Sequence, residues 1–323
     1  MKLIPKNKCR IGMLMVDGRP YHISVINRFI DQINNGVQGV YEKRIYRVSS
    51  LQEKEITSRV EHMISRGEVD VVYTIGRACT AYGSAVAKRH NNFPLLFAGV
   101  LDPVGEGIVD SLENPGENIT GSVFGQAPTE GLINGIRALY PDVEKVFIPY
   151  FSATKSGLLE SQALELQQQL SAFGMKVSIE PIGRNYDQLM ELVEKYRKEV
   201  DCFVLLDGCY SSVAQKPMAH IAWEECITQI GCCSSSIDSG AAIAYSGDLN
   251  PMAAANYQQL ERARLEQIPL GKLPVNVLPN NREFTVNADV MRKIGYSVES
   301  LERICNAKGI RTIRRWVAPP QDS

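Results

Sequence analysis

Short apolar runs alternate with segments of helical period along almost the whole chain, and this alternation constrains the fold more than any other feature. Arg10–Val16 (RIGMLMV) reads as a buried strand. In the following Tyr21–Asn34, Ile23, Ile26, Phe29, Ile30 and Ile33 keep helical spacing. The pattern predicts a strand over Lys43–Val48, a helix over Gln52–Arg66, a strand over Val69–Ile75, a helix over Ala78–His90 and a strand over Phe93–Val100. Strands separated by single helices pair in parallel through right-handed crossovers.

The same grammar restarts after Gly121. Helices are expected over Thr129–Leu139, Ser156–Phe173 (closed by Gly174), Tyr186–Lys198 and Met218–Gln229. Strands are expected over Lys145–Tyr150, Lys176–Glu180, Cys202–Leu206 and Gly231–Ser235. Two consecutive βα series of similar size predict an α/β chain of two doubly wound parallel-sheet lobes, and 323 residues accommodate two such cores. In such sheets, ligands are held by the loops beyond the carboxyl ends of the strands.

Charge narrows the partners. Lys plus Arg number 35 and Asp plus Glu 36, a formal charge of −1, so the chain has no broad cationic footprint for nucleic acid or an acidic membrane. No apolar run is long enough to span a bilayer. The opening MKLIPKNK lacks the apolar stretch and cleavage site of a secretory signal. Two locations are therefore carried forward: periplasmic or cell-surface if a leader was removed, and cytoplasmic otherwise.

Enzyme signatures are missing. There is no GxxxxGK[ST] loop, no HExxH and no GxSxG elbow, and His22, His62, His90 and His220 are scattered over separate segments. The eight cysteines form no CxxC pair, so no zinc site and no cofactor is expected. They read mainly as buried small hydrophobes; a strained vicinal disulfide between Cys232 and Cys233 is the lesser alternative. Cys79, at a strand-to-helix loop, is the one weak candidate nucleophile. A non-enzymatic protein is expected. The basic tail with Arg311, Arg314, Arg315 and Trp316 reads as a solvated terminal element.

The strand-end loops stand out instead. Val16–Tyr21, Ile75–Thr80 and Val100–Gly105 follow strands of the first series; Tyr150–Thr154, Leu206–Tyr210 and Ser235–Gly240 follow those of the second. Each alone is ordinary turn or cap chemistry. Together they mix acids, hydroxyls, aromatics and two arginines, as in a small-molecule cleft.

The stretch from Phe97-Ala98-Gly99-Val100-Leu101-Asp102-Pro103-Val104-Gly105 through Ser111-Leu112 to Asn114-Pro115-Gly116-Glu117-Asn118-Ile119-Thr120-Gly121 closely resembles the FAxVxDPVxxGLVxSLxxPGxNxTG segment of a bacterial ABC-transporter substrate-binding family. The family's best-known members bind tryptophan, tyrosine or phenylalanine, and a weaker likeness runs over about Arg10–Tyr296. The resemblance implies a type I periplasmic-binding fold, two lobes joined by three crossovers that close on a ligand. Lobe one would comprise 1–123 plus 250–274, and lobe two 124–249 plus 275–323. The implied function is the extracytoplasmic solute-binding component of an ABC importer, a monomer whose partners are a small solute and a permease. The runner-up is a ligand-sensing module of the same fold with a signalling partner.

The resemblance carries a pocket onto Asp17, Arg19, Gly76, Arg77, Leu101, Asp102 and Pro103 in lobe one. In lobe two it falls on Tyr150, Ser152, Thr154, Ser156, Asp207, Gly208, Asp238 and Asp248. Asp238 or Asp248 would meet an ammonium group, and backbone N–H groups near Gly76–Ala78 a carboxylate. Tyr150, Phe151, Tyr210 or Tyr245 would pack on an apolar ring. Three departures stand out: Arg77 replaces a small Thr or Ser, Asp207-Gly208 replaces Asp-Asn, and Asp17-Gly18-Arg19-Pro20 replaces a Glu-His-Pro loop. Two arginines near the mouth would favour an acidic or aromatic carboxylate, unless they turn to solvent or pair with Asp17 or Asp102.

Overall fold

The computed structural model describes residues 1–125, 129–139, 141–152, 154–183, 186–206, 211–308 and 310–313. In chain order it begins with β1 (Cys9–Val16), α1 (Pro20–Asn35), β2 (Tyr41–Val48), α2 (Glu53–Ser65), β3 (Val71–Ile75), α3 (Arg77–Arg89), β4 (Leu95–Ala98) and β5 (Ile119–Phe124). Next come α4 (Thr129–Leu139), β6 (Lys145–Phe151), α5 (Leu158–Ala172), β7 (Lys176–Ile182), α6 (Tyr186–Tyr196), β8 (Cys202–Val204), α7 (Ser211–Glu224), β9 (Thr228–Gly231), α8 (Ser235–Asp238) and β10 (Ile243–Gly247). The chain ends with α9 (Asn250–Glu266), a 3-10 turn (Leu270–Lys272), β11 (Asn276–Leu278), β12 (Arg282–Asn287), α10 (Ala288–Lys293), α11 (Val298–Lys308) and β13 (Arg311–Ile313). These elements form two units: Met1–Gln126 with Asp248–Asn280, and Ala127–Gly247 with Asn281–Ser323.

Unit 1 is a six-stranded sheet of order β11-β5-β4-β3-β1-β2, parallel at every pairing. Its inner strands β1, β3 and β4 are buried on both faces, as a sheet sandwiched between helices requires, whereas edge strand β2 exposes Lys43, Arg44 and Ile45. Ile11, Met13 and Met15 of β1 pack with Val25, Ile26 and Phe29 of α1 and Leu260 of α9. The alternate residues Leu14 and Val16 join Ile56, Val60 and Met63 of α2 and Val86 of α3 on the other face. Helix α9 is fixed by polar contacts as well. Asn256 is fully buried: its Nδ2 donates to Tyr73 Oη (3.1 Å) and Phe97 O (3.2 Å), and its Oδ1 accepts from Ser122 Oγ (2.6 Å). Chain order reverses between β1 and β3, so the topological switch point lies at their carboxyl ends.

Unit 2 is a seven-stranded sheet of order β13-β12-β10-β9-β8-β6-β7. One face packs on α4, α5, α10 and α11 through Ile136, Leu166, Met291 and Leu301; the other packs on α6 and α7 through Val193, Met218 and Ile221. Its switch point falls between β6 and β8. Two features depart from the sequence expectation. Strand β12 runs antiparallel to β10, pairing Gly247 with Arg282 and Ile243 with Val286. The expected helix Met218–Gln229 and strand Gly231–Ser235 are displaced: α7 ends at Glu224, Cys226 takes a left-handed φ of 56°, and the strand is Thr228–Gly231. The buried run that pairs with β8 therefore comes earlier, and Ser235–Asp238 curls into a helical turn.

Candidate functional site

All six strands of unit 1 are parallel, so their carboxyl ends share one edge, and every unit 1 residue of the inferred pocket except Leu101, Asp102 and Pro103 starts directly from a strand end or a helix cap there. Asp17 and Arg19 follow β1, Gly76 and Arg77 follow β3, and Leu101, Asp102 and Pro103 follow β4 through Gly99. Gly76 adopts φ 77°, ψ 164°, and caps the start of α3. That backbone conformation is nearly restricted to glycine. A methyl group on Gly76 would lie 3.2 Å from His22 Nε2, and one on Gly99 2.8 Å from Tyr21 Oη. The β1, β3 and β4 ends thus converge on the Tyr21-His22 pair of α1.

His22 is the residue that the sequence reading passed over. It is 5% exposed, and its Nδ1 accepts the Val16 N–H at 3.2 Å. Accepting at Nδ1 puts the proton of the neutral ring on Nε2, the atom that faces Gly76. Burial, with the Arg19 charge adding to it, drives the imidazole down to about 3, so it stays neutral at physiological pH. The ring is a fixed, uncharged N–H donor at the switch point.

The acids of unit 1 have local duties. Asp17 pairs with Arg47 at 2.6 Å, both side chains exposed, and Asp102 Oδ1 accepts the Gly105 N–H at 2.8 Å. Arg77 pairs with neither; its Nη1 lies 3.4 Å from Oε2 of Glu106, whose side chain is 4% exposed. The sequence reading did not single out Glu106, which sits in the turns after β4.

In unit 2, Tyr150 lies buried in β6 with its hydroxyl 3.5 Å from Glu160 Oε1. Ser152 follows β6, and its Oγ donates to Ile182 O at 3.0 Å. Thr154 is half-buried beyond it, and Ser156 Oγ accepts the Leu158 N–H at 3.4 Å near the start of α5. Asp248 follows β10 and is the first residue of the second unit 1 segment, not of unit 2; its Oδ1 accepts the Asn250 N–H at 3.0 Å just before α9. Asp207, Gly208 and Tyr210 lie outside the described residues. Asp238 stands apart from this group. It closes α8, two residues before Gly240, whose carbonyl accepts from Trp223 Nε1 at 2.9 Å near the far end of α7. That contact draws the segment toward the amino edge of the sheet.

A cavity of about 40 Å³ opens at the carboxyl edge of unit 2, walled by Leu166, Leu206, Ile230, Cys232, Tyr245 and Arg282 among others. It holds two or three waters' worth of space. Tyr245 stacks on Phe284 with centroids 4.6 Å apart, and the Arg282 guanidinium carbon lies 5.9 Å from the Tyr245 ring. The sequence reading named Tyr245 only as an alternative and did not name Arg282, because β12 was not foreseen beside β10.

A family model described as ABC transporter substrate binding protein matches residues 31–306. A tyrosine-binding protein of Clostridioides difficile (strain R20291) is 22% identical over 241 residues, 73% of this chain and 66% of that protein, so the match spans slightly less than two thirds of the relative's length. Among solved structures, an ABC domain in complex with L-Trp from Streptococcus pneumonia superposes with a TM-score of 0.79 at 16% identity, over 95% of this chain and 100% of that one. A conserved domain protein from Vibrio cholerae gives 0.77 at 17% identity, over 92% and 98%. A ligand-free, open substrate binding protein with adhesive properties from Clostridium difficile gives 0.64 at 17%, over 95% and 99%. At these identities the structural likeness speaks for the fold, two doubly wound α/β units of the type I periplasmic-binding kind.

Proposed function

Because the chain belongs to the ABC transporter substrate-binding protein family, with 31–306 matched, we propose that it is the extracytoplasmic solute-binding component of an importer. It takes up an aromatic amino acid or related carboxylate by hinge closure and presents it to a permease as a monomer. Substrate-binding proteins of this family are a binding rather than a catalytic kind, and no described helix is long and apolar enough to cross a membrane.

The observation that carries the ligand class is the unit 1 switch point. There the neutral Nε2–H of His22 faces the glycine-only cap of α3. A helix start, where backbone N–H groups point outward, joined by a fixed uncharged donor, suits a carboxylate. Arg19 and Arg77 add positive charge nearby, tempered at Arg77 by Glu106. Asp17, Leu101, Asp102 and Pro103 complete the proposed unit 1 surface. In unit 2 the proposal assigns Ser152, Thr154 and Ser156 to polar contacts and Tyr245 or Tyr150 to the ring. Asp248 is the better placed of the two candidate ammonium partners, since it follows β10 at the carboxyl edge. Asp207 and Gly208 remain in the proposed site on resemblance alone.

Thermal unfolding against a panel of amino acids, aromatic acids and small carboxylates tests this. A ligand at about 100 times its dissociation constant adds about 2.7 kcal/mol to stability. The reading expects a rise in Tm with tryptophan, tyrosine or an aromatic carboxylate. No shift across the panel, in protein that mass spectrometry finds free of bound solute, overturns it.

A further inference from the structure

The turn after β9 carries two consecutive free thiols, Cys232 and Cys233. Cys233 is half-buried, and polar groups converge on its sulfur. Ser235 Oγ lies at 3.1 Å and Ser236 Oγ at 3.4 Å, and Gln215 Nε2 donates from 3.5 Å. Gln229 Nε2 donates to the Gln215 backbone carbonyl at 3.1 Å, and both glutamines are 1% exposed. The side-chain oxygens of both amides have no hydrogen-bond partner among the described residues.

A neutral thiol needs little from its surroundings, whereas a thiolate accepts several hydrogen bonds. The environment favours the second. The hydrogen bond with Cys232 holds the Cys233 thiol below its ordinary range against the opposing effect of burial, and Ser235, Ser236 and Gln215 add to it. Elsewhere in the chain burial wins: it pushes Cys9 up to about 12 and raises Cys202 as well.

We propose that Cys233 is a nucleophilic thiolate oxidised by a hydroperoxide, and that Cys232 resolves the product into a vicinal disulfide. The Cys233 thiolate attacks one peroxide oxygen; the S–O bond forms as the O–O bond breaks, and the departing alkoxide or hydroxide takes up a proton. Sulfur is oxidised by two electrons and the peroxide reduced by two, giving a sulfenic acid. The Cys232 sulfur then attacks that sulfur; the S–S bond forms, hydroxide leaves and combines with the Cys232 proton as water. Consecutive Cα atoms stand about 3.8 Å apart, below the roughly 4.4–6.8 Å of ordinary disulfides, so the ring is strained and easily reduced by a thiol. The modification is therefore reversible, and it forms in the wall of the unit 2 cavity that Cys232 lines.

The test treats the full-length reduced protein with hydrogen peroxide, then with dimedone and iodoacetamide, and maps the products by peptide mass spectrometry. The expected result is loss of two hydrogens from the peptide holding Cys232 and Cys233, reversed by dithiothreitol. In Cys232→Ser the dimedone adduct should accumulate on Cys233. As a check that needs no variant, alkylation of the wild type at about pH 6.5 should label half-buried Cys233 about tenfold faster than exposed Cys226. Labelling of Cys226 as fast as Cys233, or dimedone captured on a cysteine other than Cys233, overturns the proposal.

Discussion

His22 makes unit 1 sensitive to acid in a way that can be worked out from one group. Its folded-state value is about 3, against an ordinary 6.5, with burial the main cause and Arg19 the second. A depressed histidine is neutral in the fold but takes up a proton once unfolded, so its contribution is present above 6.5 and lost as pH falls toward 3. Each pH unit in that window costs about 1.4 kcal/mol, and integrating from about pH 7 to about pH 5 gives about 2 kcal/mol. His22→Gln removes the titration while keeping a polar side chain near the Val16 N–H. Urea denaturation of both proteins at the two pH values isolates the effect, because every other group cancels in the double difference. The wild type should lose about 2 kcal/mol more than the variant on acidification. Equal losses would refute the buried, neutral ring and, with it, the fixed donor assigned to the switch point.

Other outcomes follow from particular contacts. Gly76→Ala forces a side chain into φ 77°, ψ 164° beside His22, and should lower stability by about 1–3 kcal/mol in thermal denaturation; a wild-type Tm would mean the loop adopts another backbone. Asn256→Ala strands the groups it pairs with on β3, β4 and β5, costing about 1–3 kcal/mol by urea midpoint. An unchanged midpoint would show that apolar packing alone seats α9. Arg77→Thr removes the guanidinium 3.4 Å from buried Glu106, so stability should fall and be partly restored in the double variant with Glu106→Gln. Additive losses would show that the two do not interact. Arg282→Ala should weaken solute binding measured by calorimetry, and an unaltered affinity would remove the unit 2 cavity from the site.

Much of the α/β pattern is written in the chain, because strands covered on both faces must be apolar at every position. Leu14 and Met15 point to opposite faces yet are both buried, and RIGMLMV reads as a strand without any tertiary knowledge. Legibility failed where long-range pairing decides. Nothing local shows that Arg282–Asn287 returns antiparallel beside β10, so Arg282 could not be placed near Tyr245. The boundaries of α7 and β9 slipped because Ile227 and Ile230 fit a helical stripe as well as a strand, and only pairing with β8 chooses between them. For the site, the loops after β1, β3 and β4 were readable as Gly- and Asp-bearing strand ends. His22 was not, since a histidine on an amphipathic helix becomes a donor only once α1 sets it against Gly76. Glu106 escaped for the same reason: an acid among turns reads as solvated until its burial against Arg77 is seen.

The most direct measurement of the central claim is calorimetric titration of the protein, unfolded and refolded to strip any bound solute, with L-tyrosine, L-tryptophan and phenylpyruvate. The account predicts saturable one-to-one binding of at least one of them, weakened in His22→Gln. Heats indistinguishable from dilution for all three, in protein whose refolding is verified by circular dichroism, would contradict it.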